Sequence, residues 1–152
     1  MAVLAVCLVA MSPLSGFTQT DTFIGTWKLN LAKSKFSPGP PPKSLTQTIE
    51  AAGQGVKATS KGTNAEGNPI DSQYTANYDG KDYPVTGSPN LDAISLKRID
   101  THKVEFTLKK AGKVVVTGTG VISKDGKTRT LTTKGVNAKG EKTSGTAVYE
   151  KQ

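Results

Sequence analysis

The residues of this chain best suited to holding a small molecule are tyrosines and one arginine. Tyr74 and Tyr78 are two same-parity steps apart, with small Ala76 between them, so on one extended strand both side chains point the same way. Arg98, read as inward-facing on another strand, adds a cation. Two aromatic walls and a guanidinium suit an amphipathic anionic ligand, since binding pockets combine apolar lining with a few placed polar groups. Phe106 and Tyr149 complete the set of lumen candidates. Tyrosines at this spacing also serve as plain core or rim packing, and both readings stay open on the sequence alone.

Catalytic chemistry finds less support. His102 is the only histidine and follows Asp100-Thr101 in a predicted turn, where it serves neither a histidine-rich metal site nor a buried triad. The only cysteine, Cys7, lies in an apolar leader. A zinc ion would have to rest on carboxylates, and no Asp/Glu cluster has the spacing for it or for a calcium loop. Asp79, Asp82 and Asp125 stand beside turn residues and read as turn-formers rather than as a catalytic acid pair. No phosphate-binding glycine loop precedes a helix. No cofactor and no metal are expected, and a binding or scaffold role is favoured over an enzyme.

The elements that must position these residues are strands. In Lys103-Val104-Glu105-Phe106-Thr107-Leu108-Lys109 apolar and polar residues alternate, so Val104, Phe106 and Leu108 share one face. The same parity turns Phe23, Trp27, Leu29, Leu45, Ile49, Val56, Ala58, Ile70, Val85, Ile94, Leu96 and Leu131 inward, with the run Val114-Val115-Val116 and either Val148 or Tyr149. Asp79-Gly80, Lys110-Ala111-Gly112-Lys113 and Lys124-Asp125-Gly126-Lys127 supply hairpin turns, so sequence neighbours pair in the sheet. The pattern predicts an all-β, antiparallel up-and-down barrel of about eight to ten strands. Gln47, Ser60, Ser72, Gly118 and Gly120 also fall at interior positions; if they face in, the barrel is loosely filled. Ser60–Gly67 and Thr133–Gly140 echo one another, either as a matched rim at one barrel mouth or as one good turn used twice. The stretch 37–43, with four prolines, is a stiff extended connector.

Two end motifs carry a resemblance. Phe23-Ile24-Gly25-Thr26-Trp27-Lys28-Leu29 resembles the first strand of the fatty-acid-binding proteins and the wider lipocalin-like (calycin) barrels, and Thr146-Ala147-Val148-Tyr149-Glu150-Lys151 resembles their last strand. The whole segment after residue 18 is similar to bacterial secreted lipocalin-like proteins. The resemblance implies that Gly25 and Trp27 form the plug at the closed barrel end. Two departures limit what carries over. Only Asn30 to Pro42 follows the first strand, too short and proline-rich for a helical lid, and Ala147 stands where those proteins have the arginine of their carboxylate clamp.

Residues 1–18 contain thirteen apolar residues and no charge, with a run too short to span a membrane and Pro13 and Gly16 behind it. They read as a secretory signal peptide lacking a basic start, ahead of a barrel domain over 19–152; a buried N-terminal segment is the alternative. The expected location is therefore secreted or periplasmic. Twenty Lys and Arg against twelve Asp and Glu give a net charge of +8, dispersed along the chain. Dispersed charge implies solvated strand faces, with weak contact to anionic surfaces and no specific nucleic acid. The expected function is noncatalytic binding of a small hydrophobic or amphipathic molecule in the lumen. The alternative is a filled structural barrel whose basic surface meets anionic envelope components.

Overall fold

A computed structural model describes residues 20–152; the apolar leader read at 1–18, with Cys7, lies outside the described residues. The strands are β1 (Gly25–Leu29), β2 (Lys35–Ser37), β3 (Ser44–Ala52), β4 (Gly55–Thr63), β5 (Pro69–Asn77), β6 (Asp79–Thr86), β7 (Ala93–Asp100), β8 (Lys103–Lys110), β9 (Lys113–Ile122), β10 (Thr128–Val136) and β11 (Lys142–Lys151). Each pairs antiparallel with its neighbour in sequence from β3 to β11, and β1 closes the ring by pairing with both β3 and β11. Short β2 also lies against β11, so β1 and β2 are two halves of one first strand. The result is a closed barrel of ten strands, as the alternation and hairpin turns require.

The break between β1 and β2 is where a helical lid would have to be built. Here it holds only one 3₁₀ turn, Leu31–Lys33, capped by Asn30, whose side-chain oxygen accepts from the Lys33 amide at 3.1 Å. Both echoing loops lie at the end opposite Trp27 and adopt the same turn. The Asn64 side chain accepts from the Asn68 amide and the Asn137 side chain from the Glu141 amide.

Three local expectations are corrected. Tyr78 sits one residue beyond β5 rather than on it. Asp79-Gly80 opens β6 instead of forming a hairpin turn, because β5 and β6 are joined only at Gln73–Thr86 and Tyr74–Val85 and diverge from there. Val114 is not interior. A bulge pairs Leu108 with Val116 but Lys109 with Val114, and the extra residue turns Val114 out to 50% exposure.

Candidate ligand-binding site

The closed end is built first from Trp27. Its side chain is fully buried, and its indole nitrogen donates to the Phe23 carbonyl at 2.9 Å, which ties the segment before β1 across the barrel base. Gly25 beside it has φ of 141°, and a side chain there would collide with Lys151 of β11. Gly25 and Trp27 thus sit together at the barrel base, beside Lys151 of the last strand.

Above this floor the lumen is hollow. A cavity of about 180 Å³ runs from Phe23 and Arg129 at the base to Val85, Leu91 and Leu108 towards the far end. Its walls are mainly apolar, interrupted by Gln47, Ser60 and Ser72 on adjoining strands, with the Gln47 amide donating to the Ser60 hydroxyl at 3.0 Å. The small and polar interior positions face in as the parity requires. Gly118 and Gly120 also face the interior, where added side chains would press on Phe106, and on Leu131 and Val104.

Of the lumen candidates, Tyr74, Tyr78 and Phe106 line this cavity. Arg98 does not. It stands at the barrel base with its guanidinium 2.7 Å from the Asp21 carboxylate, 3.9 Å over the Tyr78 ring and 5.6 Å from that of Phe23. Asp21, contributed from ahead of β1, also accepts from the Tyr78 hydroxyl at 2.8 Å. The charge expected to serve a ligand is therefore neutralised within the protein. Burial, reinforced by the hydrogen bond to Asp21, raises the Tyr78 pKa well above the usual phenol value, against the opposing pull of Arg98. Tyr149 is not a cavity wall either, being buried beneath a second arginine.

That arginine is Arg129 on β10, in register with Ile122 and Tyr149. It is 2% exposed, lines the cavity base, and has no hydrogen-bond partner for its Nε and Nη2 atoms among the described residues. Its guanidinium carbon lies 4.6 Å from the Tyr149 ring centre and 5.4 Å from that of Trp27. Burial pushes its pKa down, with Tyr149 and Tyr74 opposing. An arginine nevertheless keeps its proton in proteins. The same burial raises the Tyr74 and Tyr149 phenols, which Arg129 partly offsets. Sequence parity carried a signal for Arg129: it lies two residues before inward-facing Leu131 on one strand.

An apolar chamber with one unpaired cation at its base is a geometry for holding an amphipathic anion. No protein-family model matches the chain, and no curated protein matches it. Among solved structures, zebrafish ileal bile acid-binding protein complexed with cholic acid is similar, with a TM-score of 0.52 and 13% identity, covering 86% of this chain and 99% of that one. The two share a fold. At this identity the likeness extends to the ten-strand barrel and its closure, which is the architecture the two end motifs implied.

Proposed function

We propose that this chain is an exported, noncatalytic binder of a small amphipathic anion, taken into the barrel lumen with its charged end against Arg129. The observation that carries this reading is the buried guanidinium with two unpartnered nitrogens at the cavity base. Stacking on Trp27 and Tyr149 compensates only part of the cost of removing a charge from water, and an uncompensated buried charge is strongly destabilising. A carboxylate or sulfonate would supply the missing acceptors with charge-assisted hydrogen bonds. Tyr74, Tyr78 and Phe106 would then flank its apolar body.

Cholic acid, the ligand of the fold neighbour, is itself a carboxylic acid on an apolar frame. Size argues for something smaller here. A cavity of 180 Å³ is below the roughly 300–1,000 Å³ of pockets that hold drug-sized ligands, so a short fatty acid or an aromatic acid fits without movement and a steroid does not. Export rests on the charge-free apolar character of residues 1–18.

Protein purified from its own host, examined by native mass spectrometry, is expected to carry an acidic small molecule that is released on unfolding. The purified barrel should bind octanoate or a naphthalene sulfonate and ignore the matching alcohol or uncharged arene. An empty native protein that shows no preference for the anions would overturn the reading.

A further inference from the structure

At the barrel end opposite Trp27, two neighbouring hairpins project a face that the lumen reading does not use. The β8–β9 and β10–β11 hairpin ends carry Lys110, Lys113, Lys134, Lys139 and Lys142, all exposed. The ion pairs among the described residues are Lys33–Glu150, Lys61–Asp71, Arg98–Asp21 and Lys109–Asp82, so these five lysines are free of them. Glu105 shares a groove with Lys134 without pairing to it, and two further acids nearby are hydrogen-bonded to amides. Glu141 accepts from the Asn137 side-chain amide at 2.7 Å, and Asp92 accepts from the Ala111 backbone amide at 2.8 Å.

Apolar side chains stand among these cations. Val114 is 50% exposed and Val136 is 42% exposed, and both line an open groove of about 570 Å³ together with Lys134 and Lys142. The bulge between β8 and β9 is what turns Val114 outward, at the cost of leaving a valine in water. Lysines around exposed valines match the layering of a lipid surface, where ammonium groups meet anionic headgroups and short apolar side chains reach the acyl boundary.

We propose that this face, centred on Val114, Val136, Lys134 and Lys142, docks the barrel end opposite Trp27 onto an anionic lipid bilayer. Nucleic acid fits less well. From Thr107 to Val148 the chain has no aromatic residue on which a base could stack, and the exposed valines have no role against a phosphate backbone. The inference is independent of what the lumen holds.

The test is flotation of the full chain with vesicles of phosphatidylcholine containing about a third phosphatidylglycerol, against phosphatidylcholine alone. Binding is expected only to the anionic vesicles, with affinity falling steeply in high salt. Lys134→Glu with Lys142→Glu should weaken it about ten-fold or more, because two attractive charges become repulsive. Val114→Ser with Val136→Ser, which keeps every charge, should weaken it several-fold. Lys124→Glu with Lys127→Glu, at the opposite barrel end, should leave it nearly unchanged. Blue-shifted emission from buried Trp27 reports that each variant is folded. Equal losses from the two lysine pairs, no effect of the valine pair, or tighter binding to a DNA duplex than to the vesicles would each overturn the proposal.

Discussion

The Arg129 guanidinium lies between two aromatic faces, 4.6 Å from the ring centre of Tyr149 and 5.4 Å from that of Trp27, with two nitrogens left without acceptors. A residue kept in this state costs stability. Replacing a buried charge with an apolar side chain of similar volume is often neutral or stabilising. Arg129→Met is therefore expected to melt at the wild-type temperature or a few degrees above it, while losing about ten-fold or more in affinity for an anionic lumen ligand, as hydrogen bonds to a charged group disappear. Calorimetry and ligand titration on the same preparation check both halves. A variant that melts much lower would assign Arg129 to packing instead.

Gly118 is fixed by contact rather than by backbone freedom. A Cβ atom there would lie 2.5 Å from Phe106 Cζ and 2.6 Å from the Thr132 carbonyl oxygen. Gly118→Ala is expected to cost about 1–3 kcal/mol, the usual penalty of overpacking. It should also push the Phe106 ring into the cavity and weaken lumen binding. Denaturant unfolding with an unchanged midpoint would show that the ring yields without cost.

Much of this arrangement was legible in the sequence because strand parity is a strict rule. Gln47, Ser60, Ser72, Tyr74 and Phe106 reach the cavity wall for the same reason that Ile49 and Val104 reach the core. What parity does not reveal is who meets whom across the barrel. Arg98 is neutralised by Asp21, 77 residues away, brought there by the segment ahead of β1. Arg129 has the same parity as Leu131, yet in Thr128-Arg129-Thr130 it reads as surface, since arginine is rarely fully buried. Val114 failed for a different reason: a bulge changes parity within a strand, and the preceding turn does not announce it.

The tyrosines give the fold a limit at high pH. Burial raises the pKa of Tyr74 and Tyr149, burial and then Asp21 raise that of Tyr78, and the hydrogen bond to Asp79 raises that of half-buried Tyr83. In the unfolded chain all four ionise near pH ~10. Below that, both states are protonated and the tyrosines leave stability independent of pH. Above it the unfolded chain binds fewer protons than the fold, so stability falls as pH rises. Absorbance at the tyrosinate band should lag behind free tyrosine and then rise together with the loss of Trp27 burial. Four reversible ionisations near pH ~10 with the barrel intact would contradict this.

The Asp21 carboxylate joins three parts of the barrel base, accepting from Arg98 Nη2 at 2.7 Å, the Tyr78 hydroxyl at 2.8 Å and the Phe23 amide at 3.0 Å. Asp21→Ala removes all three bonds. It leaves the Arg98 charge half-buried beside the Tyr78 ring, and stranding a charged partner costs about 1–3 kcal/mol. The loss should appear as a lower denaturation midpoint with an unchanged slope, since the surface exposed on unfolding stays the same. The variant should also bring one tyrosine ionisation to lower pH. Two causes that raise the Tyr78 pKa vanish with Asp21, and the now unopposed Arg98 favours the phenolate, while burial remains. Asp21→Asn, whose one carbonyl oxygen can still accept from the Phe23 amide while its NH2 group faces the Tyr78 oxygen, should recover part of the stability but keep the tyrosine ionisation at lower pH, because its amide carries no charge and donates to the phenolate. A tyrosine titration unmoved in Asp21→Ala would mean that Asp21 does not govern Tyr78.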